Sequence, residues 1–408
     1  MPRLYICILL LPLAACGSNS HAAGDSDANP DTALETSAPD SNKLLPPHQE
    51  MFDSVLAHLL TSCDCVDGNW GEDFGDASFY AISFLVEEGL LRDDPQLLLK
   101  GLSTARFAVQ LIDDWQADPT LFFETVDDLL MGYFGLMDLY RNYDEVQALV
   151  ETVQPGALEG LEKETLAEKL SYAVDGLNSL ITLFGSYVPD MEGIYSIETY
   201  GNTTVTALFA LANVEFASTF GVAQSAHLMQ QAHDLIDVIH ETAWDKALGA
   251  YRYRPQVEKL YLYPNITMML LYGRFNALDG TPEYLARAET LFQAIQALKD
   301  QQQGAYHSPY SMEFMGAKTD DYKTLSSQNY AALAFMTLYE STGAAELLSE
   351  VGQLLSFVEE YLHVDGQVFH HWMDGAMALP EHEEYYCTGC NFQLLYVIQT
   401  YWKFMNSR

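Results

Sequence analysis

The sequence predicts an all-α protein: twelve helices in six hairpins, closed into an (α/α)6 toroid. Three observations predict it. Helical periodicity runs almost without a break through residues 49–408, and strand-like alternation is scarce. One apolar pattern recurs: GNTTVTALFALANVEF from Gly201, PNITMMLLYGRFNAL from Pro264, QNYAALAFMTLYEST from Gln328 and CNFQLLYVIQTYW from Cys390. Each copy carries an asparagine at the helix start, Asn202, Asn265, Asn329 and Asn391, at intervals of 63, 64 and 62 residues. Such a period marks a repeated helical hairpin. Finally, amphipathic helices alternate with apolar ones, and the count stops at six pairs. An open solenoid of hairpins is the alternative; a count of six favours closure.

The chain has 408 residues, 49% of them hydrophobic and 12% aromatic, enough to bury a large core. Global disorder is excluded. With 57 acidic against 19 basic residues the net charge is −38, and nucleic acid is excluded as a partner, since it needs a basic footprint. The chain opens MPRLYICILLLPLAACGSNS. One basic residue, Arg3, precedes an apolar stretch from Leu4 to Leu13, which is too short to span a bilayer and reads as a signal peptide. Leu13-Ala14-Ala15-Cys16 resembles the bacterial lipobox. The resemblance implies cleavage after residue 15, lipidation of Cys16 and a membrane anchor in the bacterial cell envelope, with Gly17 favouring the outer membrane. Residues 16–47 then form a polar tether, and residues 48–408 the toroid. The tether contributes little of the acidity: residues 51–408 hold 51 acidic and 17 basic residues. Their acidic surface confers solubility or suits a saline habitat.

Inner, apolar helices are expected from Asp76, Asp127, Gly201, Pro264, Gln328 and Cys390. Outer, amphipathic helices are expected over 49–62, 96–113, 163–184, 223–241, 283–300 and 344–362. Pro282 with an early Glu283 is typical of their starts. Inner-to-outer connections are short, as at 218–222, 278–282 and 341–343, apart from a long stretch at 143–162. Outer-to-inner connections are long: 185–200, 242–263, 301–326 and 363–388. The long loops therefore gather over the N-termini of the inner helices, and loops of ~15 residues or more are usually functional. They are rich in rings: Tyr195, Tyr200, Tyr251, Tyr253, Tyr261, Tyr263, Tyr306, Tyr310, Trp372, Tyr385 and Tyr386. A concave, aromatic, acidic mouth suits a polyhydroxylated ligand; pinning the loops down is the structural role open to the same rings.

On these features the chain resembles the six-hairpin glycosidases over residues 49–408. Within them it is most similar to glycoside hydrolase family 76, the α-1,6-mannanases. Two stretches carry that similarity: Asp127-Asp128 at the start of the second inner helix, and SSQNYAALAFMTLYESTG from Ser326. The resemblance implies that Asp127 and Asp128 are nucleophile and acid/base. The N-acylglucosamine 2-epimerases share the toroid and use histidines, which His307, His370 and His371 could supply.

Physics supports the aspartate pair independently. A helix N-terminus favours an ionised carboxylate, while a neighbouring carboxylate raises one of the two pKa values. Retaining glycoside hydrolysis needs that combination, at a separation of about 5–5.5 Å. Ordinary helix capping is the competing role. Asp73, Asp76 and Glu124 stand in reserve, whereas Asp320 and Asp321 read as solvated. Candidate ligand contacts at the mouth are Asp76, Tyr200, Asn202, Tyr263, Asn265, His307, Gln328, Asn329, His371 and Trp372. Turns such as GAYRYR, GAYHSP and GQVFHHWMDG recur after outer helices, which also gives these segments a structural role.

Cys63 and Cys65 follow the first outer helix, and Cys387 and Cys390 precede the last inner one. In a closed ring these are neighbours, and export favours disulfides. Pairing between the two clusters, stapling the ring shut, is expected. A four-thiolate zinc site and a C-x-x-C redox motif are the alternatives. No metal or other cofactor is expected, and the protein is expected to be a monomer. Two function classes remain: a lipid-anchored glycan-active enzyme, foremost a glycoside hydrolase, and a non-catalytic glycan- or cell-wall-binding lipoprotein. A sugar epimerase is a further variant of the first.

Overall fold

The computed structural model describes residues 46–62, 76–118, 122–184, 195–253, 259–308, 323–368, 371–372 and 387–406. These form thirteen α-helices. The inner helices are α2 (Asp76–Leu91), α4 (Phe122–Arg141), α7 (Tyr195–Phe220), α9 (Leu262–Asp279), α11 (Leu325–Thr342) and α13 (Thr388–Asn406). The outer helices are α1 (Gln49–Ser62), α3 (Pro95–Ala117), α6 (Lys163–Phe184), α8 (Ala226–Ala243), α10 (Pro282–Ile295) and α12 (Ala345–Phe357). The remaining helix, α5 (Tyr143–Val153), lies in the stretch read as a loop. It is short and buries only Tyr143, Val146 and Val150, a thin apolar stripe.

The inner helices touch in cyclic order, α2 to α4, α7, α9, α11, α13 and back to α2. The ring is therefore closed, and the open solenoid is excluded. Composition explains which helices sit inside. On α9 every residue from Leu262 to Gly273 is buried, so this helix needs cover on all sides. On α10 only Tyr284, Ala288, Leu291, Phe292 and Ile295 are buried, at the three- and four-residue spacing of one face. Turn chemistry sets the short connections. Asp94 caps α3 by accepting from the amides of Gln96 and Leu97, with Pro95 at the first position. Gly280 ends α9 at φ 71°, a conformation that side chains with a Cβ rarely adopt.

The seam between the first and last hairpins is closed by packing and hydrogen bonds. Phe52 meets Trp402 at 4.8 Å between ring centroids, and the Trp402 indole N–H donates to Pro47 O at 2.7 Å. Gln399 donates to the buried Glu88 across α13 and α2 at 2.6 Å. His48 pairs with Glu359, and Ser54 with His363. The expected staple between cysteine clusters is corrected here. Cys387 and Cys390 are bonded to each other, with their Cα atoms 5.2 Å apart, so neither is available to cross the seam or to join a four-thiolate zinc set. Cys63 and Cys65 lie outside the described residues, as do Cys16 and the rest of residues 1–45.

Small two-stranded sheets decorate the N-terminal side of the inner helices. Strands β1 (Trp244–Asp245) and β2 (Ala250–Tyr251) pair antiparallel, as do β4 (His363–Val364) and β5 (Gln367–Val368). Strand β3 (Lys323–Thr324) pairs with β6 (His371–Trp372), tying two long connections together.

Candidate functional site

Three side-chain amides organise the mouth. Asn265 accepts a hydrogen bond from Tyr251 N at 2.8 Å and donates to Tyr251 O at 3.0 Å and Tyr261 O at 2.8 Å. Gln328 grips Tyr306 in the same way, accepting from its N–H at 2.9 Å and donating to its carbonyl at 2.8 Å. Asn391 accepts from Val368 N at 3.2 Å and donates to Val368 O and Cys387 O, both at 2.9 Å. Each amide sits in the first turns of an inner helix. Each holds the residue two places after a turn glycine (Gly249, Gly304 or Gly366) that follows an outer helix. The repeat register is thus 265, 328, 391, an even 63 residues.

This corrects the asparagine series, because Gln328, not Asn329, is the third member. Asn329 instead donates to Cys390 O at 2.9 Å, joining α11 to α13. All four amides are buried, so Asn265, Gln328 and Asn329 belong to the framework, not to a ligand surface. The turns themselves repeat. Asp245 accepts from the amides of Ala247 and Leu248, and Asp300 from those of Gln302 and Gln303. Their second oxygens pair with Arg252 and Lys323. Hydrogen bonds from Arg252 and the turn amides hold the Asp245 carboxyl below its ordinary range.

The loop tyrosines are corrected likewise. Tyr251, Tyr253, Tyr261 and Tyr306 are buried. The Tyr251 hydroxyl meets that of Tyr272, and the Tyr306 hydroxyl donates to Glu350 at 2.9 Å. They pin the loops down. Tyr263 reaches nearer the axis, its hydroxyl 2.5 Å from Ser326 Oγ and its ring 6.1 Å from that of Tyr330. His307 is half-buried beside the buried Ser308, and its backbone N–H donates to Leu298 O. Asp76, Asp127, Asp128, Tyr200, Asn202, His371 and Trp372 lie on described backbone, but their side chains lie outside the described part. His370, Asp73, Tyr310, Tyr385 and Tyr386 lie outside it altogether.

Below the mouth, a partition crosses the axis. The Tyr80 hydroxyl of α2 donates to that of Tyr330 on α11, which contacts Met131 Sδ of α4 at 3.5 Å. Beneath it lies a cavity of about 270 Å3 to which all six inner helices contribute. Its wall is mostly aliphatic and aromatic, and its far end, toward the C-termini of the inner helices, is charged.

Arg141 is the hub of that end. Its Nε donates to Thr219 at 2.9 Å, Nη1 to Asp138 at 3.0 Å, and Nη2 to Glu215. Arg274 approaches the other Glu215 oxygen at 3.2 Å. Burial pushes Glu215 up, but Arg274 and Arg141 outweigh it and hold the carboxyl below its usual range. Burial dominates at Asp138 and raises it, against the pull of Arg141 and a hydrogen bond from Ser83. Two carboxyls on one guanidinium are thus pushed in opposite directions, one favouring ionisation and one opposing it. The sequence reading missed this cluster. Its one local signal was an arginine inside an otherwise apolar helix, Arg274 in PNITMMLLYGRFNAL. Among the described residues, no group of three or more His, Cys, Asp or Glu is arranged to hold a metal ion, and no helix is long and apolar enough to cross a membrane.

With this geometry in place, three solved structures compare closely in shape. A cellobiose 2-epimerase from Spirochaeta thermophila superposes with a TM-score of 0.55 at 13% identity, over 87% of this chain and 96% of its own. A D-mannose isomerase gives 0.54 at 12%, over 87% and 96%. A family GH76 α-mannanase from Bacteroides thetaiotaomicron gives 0.53 at 12%, over 89% and 98%. The fold is the (α/α)6 toroid. At such identities the likeness shows the fold alone, and that fold serves hydrolytic, isomerising and epimerising proteins alike. No protein-family model matches the sequence, and no curated protein matches it.

Proposed function

We propose that this chain is an exported, lipid-anchored glycan-active enzyme, a glycoside hydrolase acting on a polysaccharide or oligosaccharide at the long-loop mouth. The observation that carries the reading is the register of α4. Met131, Phe134, Asp138 and Arg141 line the axial cavity, and positions 127 and 128 precede Met131 by four and three residues. They therefore fall one turn above it on the same helix face, on the mouth side of the partition. An α-mannanase among the structural neighbours fits the same reading. One of Asp127 and Asp128 attacks the anomeric carbon as carboxylate. The other, protonated, donates to the leaving oxygen and then takes a proton from water.

The test is a polysaccharide screen with product analysis. Wild type should release shorter sugars. Asp127→Asn and Asp128→Asn should each lower the rate by at least 100-fold, the lower part of the usual range for losing an acid–base group, without shifting the melting temperature. Full activity in both variants would sink the assignment. A second reading, a sugar epimerase or isomerase, is favoured by the neighbours of that class and by His307 at the mouth. Its product would be an isomerised sugar with no chain shortening. Sugar binding without turnover, undiminished in both aspartate variants, would point to the non-catalytic binder.

A further inference from the structure

The chamber beneath the tyrosine partition has a lining that does not suit a sugar. Its wall is built from residues such as Leu208, Leu211, Leu270, Leu333 and Met336. These offer no partner to a ring of hydroxyls, and each hydroxyl buried without one costs about 1–3 kcal/mol. Polarity is concentrated at one end. There Arg141 spends its donors on Thr219, Asp138 and Glu215. Arg274 does not. Its Nε edge faces Glu215, and among the described residues nothing accepts from its Nη atoms, although the side chain lines the cavity with 42% of its surface accessible.

We propose that this chamber binds a small amphiphilic carboxylate, its acid group on the Nη edge of Arg274 and its aliphatic or aryl body along the leucine and methionine wall. A guanidinium with one edge fixed is oriented for bidentate contact with a second, planar acid. Asp138, whose ionisation burial opposes, leaves the two arginines set mainly against Glu215. With Glu340 exposed at the same end these charges balance, so the acid group is held by direct contact with the Arg274 guanidinium and not by a net positive field. A dianion such as phosphate fits less well, because Glu340 and the converging helix C-termini add negative potential at the same end. Arg141 and Glu340 line this end and are exposed, so the ligand enters on the short-loop face, away from the mouth. The site does not depend on the glycan reading.

Calorimetric titration of the full chain carrying Cys16→Ala, so that no acyl chain can be attached at that position, tests it with octanoate and octan-1-ol as probes. Octanoate should bind at one site, at least 10-fold tighter than octan-1-ol. Arg274→Gln should weaken octanoate at least 10-fold and leave octan-1-ol unchanged. Arg274→Lys, which keeps the charge opposite Glu215 but not the fork, should weaken octanoate several-fold. It serves as the second variant should Arg274→Gln fail to fold. Leu211→Trp, which fills the chamber, should abolish both. Absence of octanoate binding, equal affinity for octanoate and octan-1-ol, or competition by mannose would overturn the proposal. None of these results bears on turnover at the mouth.

Discussion

Replacing Asn265 by alanine separates a framework role from a ligand role. The side chain makes three hydrogen bonds, all to backbone groups of the buried turn at Tyr251 and Tyr261. Asn265 and Tyr251 are both 0% exposed, so the Tyr251 N–H and two carbonyls lose their partner without gaining bulk water. Each unsatisfied group costs about 1–3 kcal/mol. The costs do not add fully, since the vacated volume is about that of one water, which can restore part of the bonding. A net loss of about 3–5 kcal/mol follows. Domains of 150–250 residues lose about 2–4 °C per kcal/mol, and this body is larger, so the melting temperature should fall by about 6–10 °C. Asn265→Asp is the sharper probe. It keeps the acceptor for Tyr251 N–H but turns a carboxylate oxygen toward two carbonyls, and should cost at least as much. Thermal unfolding by circular dichroism reads both. Gln328→Ala and Asn391→Ala, at the equivalent positions, should behave alike. A melting temperature within about 2 °C of wild type, combined with weakened glycan binding, would refute the framework assignment.

Two further perturbations follow from the charged end of the cavity and from the N-terminus. Glu215→Gln leaves Arg141 and Arg274 without their shared carboxylate. Breaking a buried pair costs about 3–5 kcal/mol, and the partial exposure of the two arginine side chains, 32% and 42%, lowers the expectation to about 2–4 kcal/mol at pH 7. Because the folded-state pKa of Glu215 is lowered, its stabilisation is present above the ordinary glutamate value and lost as pH falls through the folded one. The gap in urea midpoint between wild type and variant should therefore shrink below about pH 4; a constant gap would contradict the assignment. Asp138, raised chiefly by burial, acts with the opposite sign in both proteins, and the part of its rise that comes from Glu215 is removed in the variant. At the N-terminus, Cys16→Ala should shift the protein from the detergent phase to the aqueous phase in a partition assay. Unchanged partition would show that the lipobox resemblance misleads.

Helix positions were legible because inner helices such as α7, α9 and α11 are apolar on nearly every side and the outer helices on one, a contrast written in local composition; α4, with acids at both ends, shows it least. Outer helices at 49–62 and 163–184 fall where periodicity put them. Closure was legible only as a count. What secures it is dispersed: Phe52 with Trp402, and Glu88 with Gln399, pairs separated by more than 300 residues. Cysteine placement misled for a related reason. Spatial proximity of two clusters does not decide pairing when two members of one cluster stand three residues apart at a helix start, already close enough to bond.

The amides show a second limit. A side chain that satisfies buried backbone and one that binds a sugar hydroxyl use the same chemistry, so residue type at the mouth could not separate the roles. The recurrence itself favoured the framework, because a feature that holds the same turn in successive hairpins recurs with the repeat, at 265, 328 and 391, whereas a ligand breaks the ring's symmetry. Gln328 in place of an asparagine obeys that rule through an even 63-residue register. The features that break the symmetry are Asp127-Asp128 on α4, the tyrosine partition, and the arginines on α4 and α9. None of these has a counterpart at the same place in every repeat. On a ring built from repeats, function is therefore to be sought where the repeat fails, and the two proposed sites lie above and below the partition at those places.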